Sequence, residues 1–538
     1  MSRSNGLAGF AENALPRQAA SCFVQADSPE KPSLVHFRSA ACHACMRFLV
    51  QGWPNTRSVP GNISTTAPVF IAACVATRKA GMGTRLKHSP QDRTRRMIAT
   101  TTSEPDLQMK SGTRLFRATA FTFMLLCCLL FVARGYHDER LADHQRDFKQ
   151  PFSSARCLLT GCNPYSETDT RIAYLRAGGI NDDPIVFAPY SALYPPFSLA
   201  LLAPLAAIPY PVAQALWLWG CAGLFSVACL LTADLCGRFH SGSTVLCLGF
   251  FVVTSTILLM EGQVSTVAIS LLVIGLWCFL RGRQPWLTTL CFTVALALKP
   301  HDALLLVLYF GFAGPRARVI LRRTLVLTGL VVVAGCTWCS VHASSRFWMH
   351  DLLRNLYGNS GPGGVNEPVQ ANPQAGYLVS AQAIFGTFSS HPLVYHTGAY
   401  LLTAGLLALW LQPVLALRGS LHKHLLAIAG LACITLLPVY HRQYDTRLLL
   451  LIFPAVAMLV GTRHRFATMA VTLAAAAGVL TAYPLLRRVL DHPARVEAAG
   501  RLQTLLLYRP LPLVTLALAL FFVFTLRAFW HAEQAQQG

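Results

Sequence analysis

Charged residues are scarce in this chain, and acidic residues are scarcer than basic ones. Only 13% of its 538 residues are charged and 54% are hydrophobic, whereas soluble proteins carry about 25% charged residues. Apolar runs such as 243–260, 264–280, 319–341 and 395–417 approach or exceed the roughly 18 residues that span a bilayer as a helix. The alternating pattern of a membrane β-barrel is absent. The sequence therefore predicts an all-α polytopic membrane protein.

The shortage of acids leaves a net charge of +22, yet no nucleic-acid-binding motif accompanies it. Much of the basic charge lies in the first hundred or so residues and in short turns between apolar runs. Turns of this kind are typical of the cytoplasmic side of membrane proteins, which is rich in Lys and Arg. We therefore expect membrane lipids, and no nucleic acid, as partners.

The N-terminal segment 1–109 contains no apolar run of membrane-spanning length. It does not resemble a signal peptide, because the first long apolar run lies far from the terminus. The CxxC pair at 42–45 has no second pair at metal-ligand spacing, so it does not predict a metal site. We interpret 1–109 as an extension, either disordered or the product of a start codon upstream of Met97 or Met109, and 110–531 as the membrane domain.

Twelve apolar segments are predicted to cross the membrane, with large first and middle outer loops. They are 115–134, 212–234, 243–260, 264–280, 285–298, 303–314, 319–341, 395–417, 422–439, 446–461, 466–485 and 511–529. A further segment, 197–208, is short and bounded by prolines. If it does not cross and the N-terminal flank is cytoplasmic, most arginines between helices also fall on the cytoplasmic side, as the positive-inside rule requires. We therefore predict a juxtamembrane or re-entrant helix at 197–208 and outer loops at about 135–211 and 342–394.

One basic loop does not follow this rule. The segment 487–509 holds five arginines and faces outward in the predicted topology. It is either an exception to the positive-inside rule or a segment that binds an anionic group.

Four polar clusters at the ends of apolar segments fall together on the outer side. They are Asp147, Glu261-Gly262-Gln263, Lys299-Pro300-His301-Asp302 and His441-Arg442-Gln443-Tyr444-Asp445. Ionisable side chains at such boundaries are unfavourable unless they face water, a partner or a substrate. The topology is derived from the basic residues without reference to these clusters. Their common location on the outer side is therefore independent support for a shared site. We therefore predict an interfacial active site on the outer face of the cell (inner or plasma) membrane.

The first three clusters offer different chemistry. Asp147 is a candidate catalytic base, with a solvated loop acid as the alternative interpretation. Gln263 can hydrogen-bond a sugar hydroxyl, and the glycine before it allows close backbone approach, although the turn can also be only a tight connection. Lys299 suits a phosphate as a point charge, with a snorkelling lysine as its alternative.

The late turn 441–445 is dense in side chains capable of function. An inert turn rarely needs His, Arg, Tyr and Asp together. Arg442 or His441 can contact a phosphate, with Asp445 orienting one of them. One His and one Asp are too few ligands for a metal site, so no metal and no other cofactor is predicted.

Most of the 17 cysteines lie in apolar segments, where Cys behaves as a small hydrophobic residue. Cys157 and Cys162 differ because they lie in the predicted first outer loop. A disulfide can form there, and the sequence leaves open whether it does.

The order of these motifs resembles glycosyltransferase family 87. The residues that carry the resemblance are Asp147-Phe148, Gly161 to Tyr165 with its Asn-Pro-Tyr, Tyr194-Pro195-Pro196-Phe197, Gly262-Gln263, Lys299-Pro300 and Tyr440 to Asp445. The family consists of integral membrane enzymes of the GT-C superfamily and includes polyprenol-phosphate-mannose-dependent α-mannosyltransferases. The resemblance covers roughly 110–530. At 441–445 this sequence departs from the Trp-His-Tyr turn of many members. The departure bears on whether His441 corresponds to the late histidine of the family.

The resemblance implies a GT-C-like fold and a mannosyltransferase or related hexosyltransferase of the cell envelope. The donor would be a polyprenyl-phosphate-linked sugar, and the acceptor a hydroxyl of a glycolipid or glycan on the outer face, with inversion. The implied base is Asp147. The polar clusters themselves predict the donor-binding residues Lys299, His441, Arg442, Gln263, Tyr444 and Asp445.

Two other functions remain open. One is transfer of another lipid-linked sugar, such as arabinose or glucose. The other is a transporter or flippase of lipid-linked sugars, although such proteins often show internal repeats and midplane polar groups, and this sequence has its polar groups at one interface. A structural membrane subunit would not explain the late turn 441–445.

Overall fold

The computed structural model describes residues 111–141, 146–180, 192–416, 420–490 and 499–537. The predicted extension 1–109, with the CxxC pair at 42–45, lies outside the described residues. The helices in chain order are α1 Ser111–Leu141, α2 Arg146–Thr160, α3 Glu167–Arg176, α4 Pro196–Ala206, α5 Tyr210–Gly237, α6 Gly242–Val253, α7 Ile257–Glu261, α8 Val264–Leu280, α9 Pro285–Leu298, α10 Pro300–Leu308, α11 Pro315–Val341, α12 Trp348–Ser360, α13 Ala381–Phe388, α14 Pro392–Leu415, α15 Leu421–Thr435, α16 Phe453–Gly461, α17 Ala467–Leu480, α18 Tyr483–Leu490, α19 Arg501–Gln503 and α20 Pro510–Gln537.

The segments that are not α-helical include several short helical turns of other types. Stretches of 3-10 helix occupy Tyr309–Gly311, Ala343–Ser345, Pro373–Tyr377 and Gln443–Ile452, and a π turn occupies Thr504–Tyr508. Within the described ranges there is no β-strand, and Leu378 and Arg442 form an isolated antiparallel bridge. The all-α polytopic membrane fold predicted from the sequence is confirmed.

Seven helical segments of the described residues are long and apolar enough to cross a membrane. They are Arg114–Arg140, Tyr210–Gly237, Gly242–Glu261, Pro315–Val341, Pro392–Leu415, Gln443–Gly461 and Pro510–Ala535. An eighth is obtained if α17 and α18, which meet at a bend of 59°, form one span. The sequence predicts twelve because it counts four further apolar segments, which fold as the shorter helices α8, α9, α10 and α15. The 15 residues of α15 rise only about 22 Å, short of a hydrocarbon core of about 30 Å.

The short helix α4 corresponds to the segment that the arginine pattern predicts not to cross. Its 11 residues extend about 16 Å, roughly half of the hydrocarbon core. Pro196 begins the helix, since proline is tolerated in the first turn. The helix packs against α2, α9 and α11, and its Ser198 hydroxyl donates to the Ala297 carbonyl at 2.6 Å. Its length agrees with the predicted juxtamembrane or re-entrant position, and the sidedness stays a prediction.

The Asn-Pro-Tyr motif joins the first large loop to the middle one. Asn163 accepts the Tyr165 backbone N–H in a local turn, and its amide donates to Asp351 of α12 at 2.9 Å. The Tyr165 hydroxyl donates to the Tyr194 carbonyl at 2.9 Å. Just before this motif, Cys157 and Cys162 form a disulfide, which the sequence left open. The motif is therefore a structural joint between the loops.

The middle loop is attached to the late turn by backbone hydrogen bonds. Val379 N–H donates to the His441 carbonyl at 2.8 Å, and Ala381 N–H donates to the Leu437 carbonyl at 2.9 Å. From the basic loop 487–509, the buried Arg509 donates to backbone carbonyls of the middle loop and α13. At least this arginine of the basic loop serves the fold, and it does not face an external anion.

Candidate active site

The carboxylate of Asp147 meets the amide of Gln263. Asp147 lies in the first turn of α2, and Gln263 is the residue just before α8; the Gln263 amide donates to Asp147 Oδ2. Gly262 ends α7 with φ of +66°, a left-handed conformation that glycine adopts without steric cost. This turn explains why a glycine precedes the glutamine.

An aromatic wall fixes both partners. Phe148, next to Asp147, stacks on Trp217 of α5 with ring centroids 4.8 Å apart. The Trp217 indole N–H donates to the Gly262 carbonyl at 2.7 Å. A single indole therefore supports the helix that carries the acid and the turn that carries the amide.

Lys299 forms the second part of the site. It is the single residue between α9 and α10, and its Nζ lies 2.5 Å from Asp445 Oδ1. The Ser265 hydroxyl donates to the same Asp445 oxygen at 2.7 Å and contacts the Lys299 ammonium. The other Asp445 oxygen accepts the Arg442 backbone N–H at 3.0 Å, so Asp445 orders the turn and holds the lysine.

The ammonium of Lys299 stays charged in this buried position. Burial disfavours its charged form, but the nearby carboxylates of Asp302 and Asp445 outweigh burial and raise the pKa of Lys299 above its usual value. The ring of Tyr444 lies 5.1 Å from Nζ, within the range of a cation–π contact. The sequence prediction of a cationic point beside the late turn therefore has a structural counterpart.

Two histidines and a second aspartate lie next to this pair. Asp302 is fully buried; its Oδ1 lies 3.8 Å from Nε2 of His301 and 3.8 Å from Nε2 of His441, and its Oδ2 lies 3.6 Å from Lys299 Nζ. The His441 Nε2 also lies 3.2 Å from the Thr435 carbonyl oxygen. Burial lowers the pKa of His441 to about 4, so its imidazole is neutral at pH 7.

Arg442 faces the middle loop. Its Nε donates to Asn366 Oδ1 at 2.8 Å. A second nitrogen of its guanidinium is buried and has no hydrogen-bond partner in the described part of the chain. The side chain can therefore link the middle loop to an anion bound at the late turn.

The structure arranges the four predicted clusters as two groups, and the residues within each group are in contact. Asp147 pairs with Gln263, and Lys299 pairs with Asp445 and Tyr444 while His441 and Arg442 belong to the same turn. Tyr194 links the groups electrostatically: burial raises the pKa of its phenol, and the charges of Lys299 and Asp147 both act on it.

Three contributors were missed as site residues in the sequence: Ser265, His301 and Asp302. Ser265 gave no sequence signal, because a serine in an apolar helix is common. His301 and Asp302 were part of a recognised cluster, but no spacing pattern predicted that they would meet His441. Only packing of α10 against α8 and α15 brings them there.

A family model for glycosyltransferase family 87 matches residues 192–437. This range includes Gln263 and Lys299, while Asp147 and the turn 441–445 are outside it and are connected to it by the contacts above. Searches of curated proteins and of solved structures gave no match. The matched model and the all-α membrane fold confirm the resemblance to glycosyltransferase family 87, and with it a membrane glycosyltransferase.

Proposed function

We propose that this protein transfers a hexose, mannose in the first instance, from a polyprenyl-phosphate donor to an acceptor hydroxyl on the outer face of the cell membrane. The acceptor would be part of a glycolipid or glycan. The observation that carries this proposal is the juxtaposition of a half-buried carboxylate, Asp147, with an amide and a buried ammonium at the ends of apolar helices. The lipid chain of the donor would lie along those helices, with its phosphate at their ends.

The reaction would proceed by a single inverting displacement. The acceptor oxygen attacks the anomeric carbon while the bond from that carbon to the phosphate oxygen breaks, and the hydroxyl proton passes to Asp147. A positioned base typically accelerates such a step by about 10²–10⁴-fold. Gln263 would orient Asp147 or a sugar hydroxyl by hydrogen bonding.

The departing polyprenyl phosphate needs positive charge at the ends of the helices. Lys299 supplies a fixed ammonium, and Arg442 has a guanidinium nitrogen available beside the late turn. Preorganised charge of this kind stabilises a developing anion without reorganisation during the reaction. Asp445, Tyr444 and His441 would act by holding the turn and the lysine in place. The helix α4 and the middle loop would form the wall and the lid.

The test is sugar transfer by the full chain purified in detergent. Synthetic polyprenyl-phosphate mannose is offered with a mixed acceptor extract, and a new glycosidic bond is detected by mass spectrometry. We expect transfer by the wild type and a loss of about 10²–10⁴-fold in the Asp147→Asn variant. An Asp147→Asn enzyme that turns over at close to the wild-type rate would remove the base assignment.

Asp138→Asn is the matched control, because it changes another acid close to the first outer loop that contacts none of the site residues described above. We expect its rate to stay near wild type. If neither wild type nor variant transfers mannose, the same assay with arabinosyl and glucosyl donors separates another sugar from another function. Movement of labelled lipid across proteoliposomes without a new bond would favour the transporter or flippase.

A further inference from the structure

One part of the polar cluster contains two carboxyl groups and a single ammonium. The buried carboxylates of Asp302 and Asp445 both approach a single ammonium, that of Lys299. One ammonium cannot compensate two ionised carboxylates, and all three groups are less than a tenth exposed. A buried carboxyl group that lacks a full set of partners is strongly unfavourable in its ionised form.

Asp302 is the carboxyl group of this cluster that lacks hydrogen-bond donors. Asp445 has three hydrogen-bond donors, namely Ser265, Lys299 and the Arg442 backbone. By contrast, neither oxygen of Asp302 accepts a hydrogen bond from any described residue, although the side chain is fully buried. Its Oδ1 points between two imidazole nitrogens, each 3.8 Å away. Buried polar groups are normally hydrogen-bonded, so such an exception needs an explanation.

We propose that His301, Asp302, His441 and Asp445 bind a first-row divalent metal ion such as Zn²⁺ or Mn²⁺. One ligand atom from each of the four residues lies within 4.8 Å of the others. Ligand atoms around an ion with bonds of about 2.1 Å lie roughly 3–4 Å apart, so small side-chain rotations close the shell. The ion would give the Asp302 carboxylate a partner and add positive charge to the cluster.

The donor set selects the class of ion. Two imidazoles and two carboxylates form a mixed nitrogen and oxygen set. Imidazole suits Zn²⁺ and other first-row transition metals, whereas Mg²⁺ and Ca²⁺ prefer sites made of oxygen alone. His441 is fully buried and its Nδ1 has no hydrogen-bond partner among the described residues, so this ring nitrogen is available to a metal ion.

The sequence predicted no metal site because the late turn offers one His and one Asp. In three dimensions the beginning of α10 adds His301 and Asp302 to that turn, which doubles the ligand set. The binding of the ion is independent of the proposed function, but its role depends on it. With the ion bound, the cluster would present net positive charge to the phosphate of the lipid donor, next to Lys299.

The experiment measures metal binding without any sugar. The full chain in detergent is stripped with EDTA and dialysed against Zn²⁺ or, separately, Mn²⁺, and bound metal per chain is determined by elemental analysis. We expect one ion per wild-type chain, and an affinity at least about 10-fold weaker in Asp302→Asn, since losing even an outer-shell partner of a ligand costs 10–100-fold. The matched control is Asp234→Asn, which removes a carboxylate that pairs with Arg281 elsewhere in the fold and should bind like wild type.

A second variant guards against a folding defect. Asp302→Cys replaces a carboxylate by a thiolate, which favours softer ions, so a preference shifted from Mn²⁺ toward Cd²⁺ supports the site. A folded wild type that binds no metal saturably, or equal binding by wild type and Asp302→Asn, would overturn it. Metal binding without sugar transfer in the presence of the ion would reject the proposed function alone, and transfer by protein that binds no metal would reject the ion alone.

Discussion

Arg509 and Lys299 are both buried cations near the ends of apolar helices, but their partners differ. Arg509 donates to the backbone carbonyls of Pro368, Val369 and Ala383 and to a threonine hydroxyl. Lys299 instead faces two carboxylates, an aromatic ring and a hydroxyl. The guanidinium of Arg509 is engaged by neutral backbone carbonyls and one hydroxyl. Lys299 instead lies among charged groups, one of which, Asp302, has no hydrogen bond from the described residues.

This difference separates a structural cation from a functional one. A guanidinium that meets backbone carbonyls fixes the path of a loop, and here it fastens the middle loop to α20. A cluster that holds a fully buried carboxylate with no hydrogen bond from the described residues is strained in electrostatic terms. Groups in such unfavourable electrostatic surroundings are often found at functional sites. The comparison predicts that removing either cation lowers stability, but that only the removal of Lys299 also lowers the rate of transfer.

The largest effect is expected for Lys299→Met. Removing the ammonium should lower kcat/KM by about 10²–10³-fold, as does the loss of one group that stabilises a developing anion. It should also destabilise the fold by about 3–5 kcal/mol, because it leaves buried carboxylates unpaired. Transfer assays and thermal unfolding in detergent measure the two effects.

The double variant Lys299→Met with Asp445→Asn sharpens this test. Neutralising Asp445 removes one of the uncompensated charges, so we expect part of the stability to return. The rate should not return, because no cation faces the phosphate. Recovery of transfer in the double variant would contradict a role of Lys299 in catalysis and leave it a structural ion pair.

Arg509→Met should lower stability without lowering the rate per folded molecule. The middle-loop carbonyls lose their donor, and each buried acceptor left without a partner costs about 1–3 kcal/mol. We expect a lower unfolding temperature in detergent, with kcat per folded molecule close to wild type, because Arg509 contacts none of the candidate site residues. A loss of transfer as large as that of Lys299→Met in well-folded protein would break the comparison.

The smallest effect is expected for Gly262→Ala. Its φ of +66° costs a non-glycine residue about 1–2 kcal/mol, and a shift of the following Gln263 should lower kcat/KM by about 10-fold. Gly220→Ala is the matched control: it lies within α5, and an added Cβ there meets no described atom within 4 Å. In a helix interior Ala is favoured over Gly by about 0.5–1 kcal/mol, so this control should be neutral or slightly stabilising. Equal effects of the two substitutions on transfer would argue against a role for the turn.

The sequence was a good guide to where the helices lie and a poorer guide to their lengths. Hydropathy located the apolar segments, because each must bury its backbone polar groups in a helix within lipid. Segments such as 285–298 and 422–439 fold as the shorter helices α9 and α15, which are largely buried within the protein. Apolarity alone does not distinguish contact with lipid from contact with other helices.

The candidate site shows the same division. Asp147, Gln263, Lys299 and the turn 441–445 were predicted because ionisable and amide groups at the ends of apolar runs are unusual in themselves. Their pairing was not predictable, since Gln263 and Asp147 are 116 residues apart and Lys299 and Asp445 are 146 apart. No local pattern records which of several loop clusters will meet.

By itself, the sequence determined a helical membrane protein, the resemblance to glycosyltransferase family 87, and the residue types available for chemistry. Hydropathy, the distribution of arginines and the order of short motifs are enough for that, because each depends only on neighbours along the chain. The tertiary structure alone decided that Ser265 and Asp445 hold Lys299, and that Asp302 lies between two histidines without a hydrogen bond from the described residues. These are properties of how α8, α10 and α15 pack, and packing is set by contacts between residues that are distant in sequence.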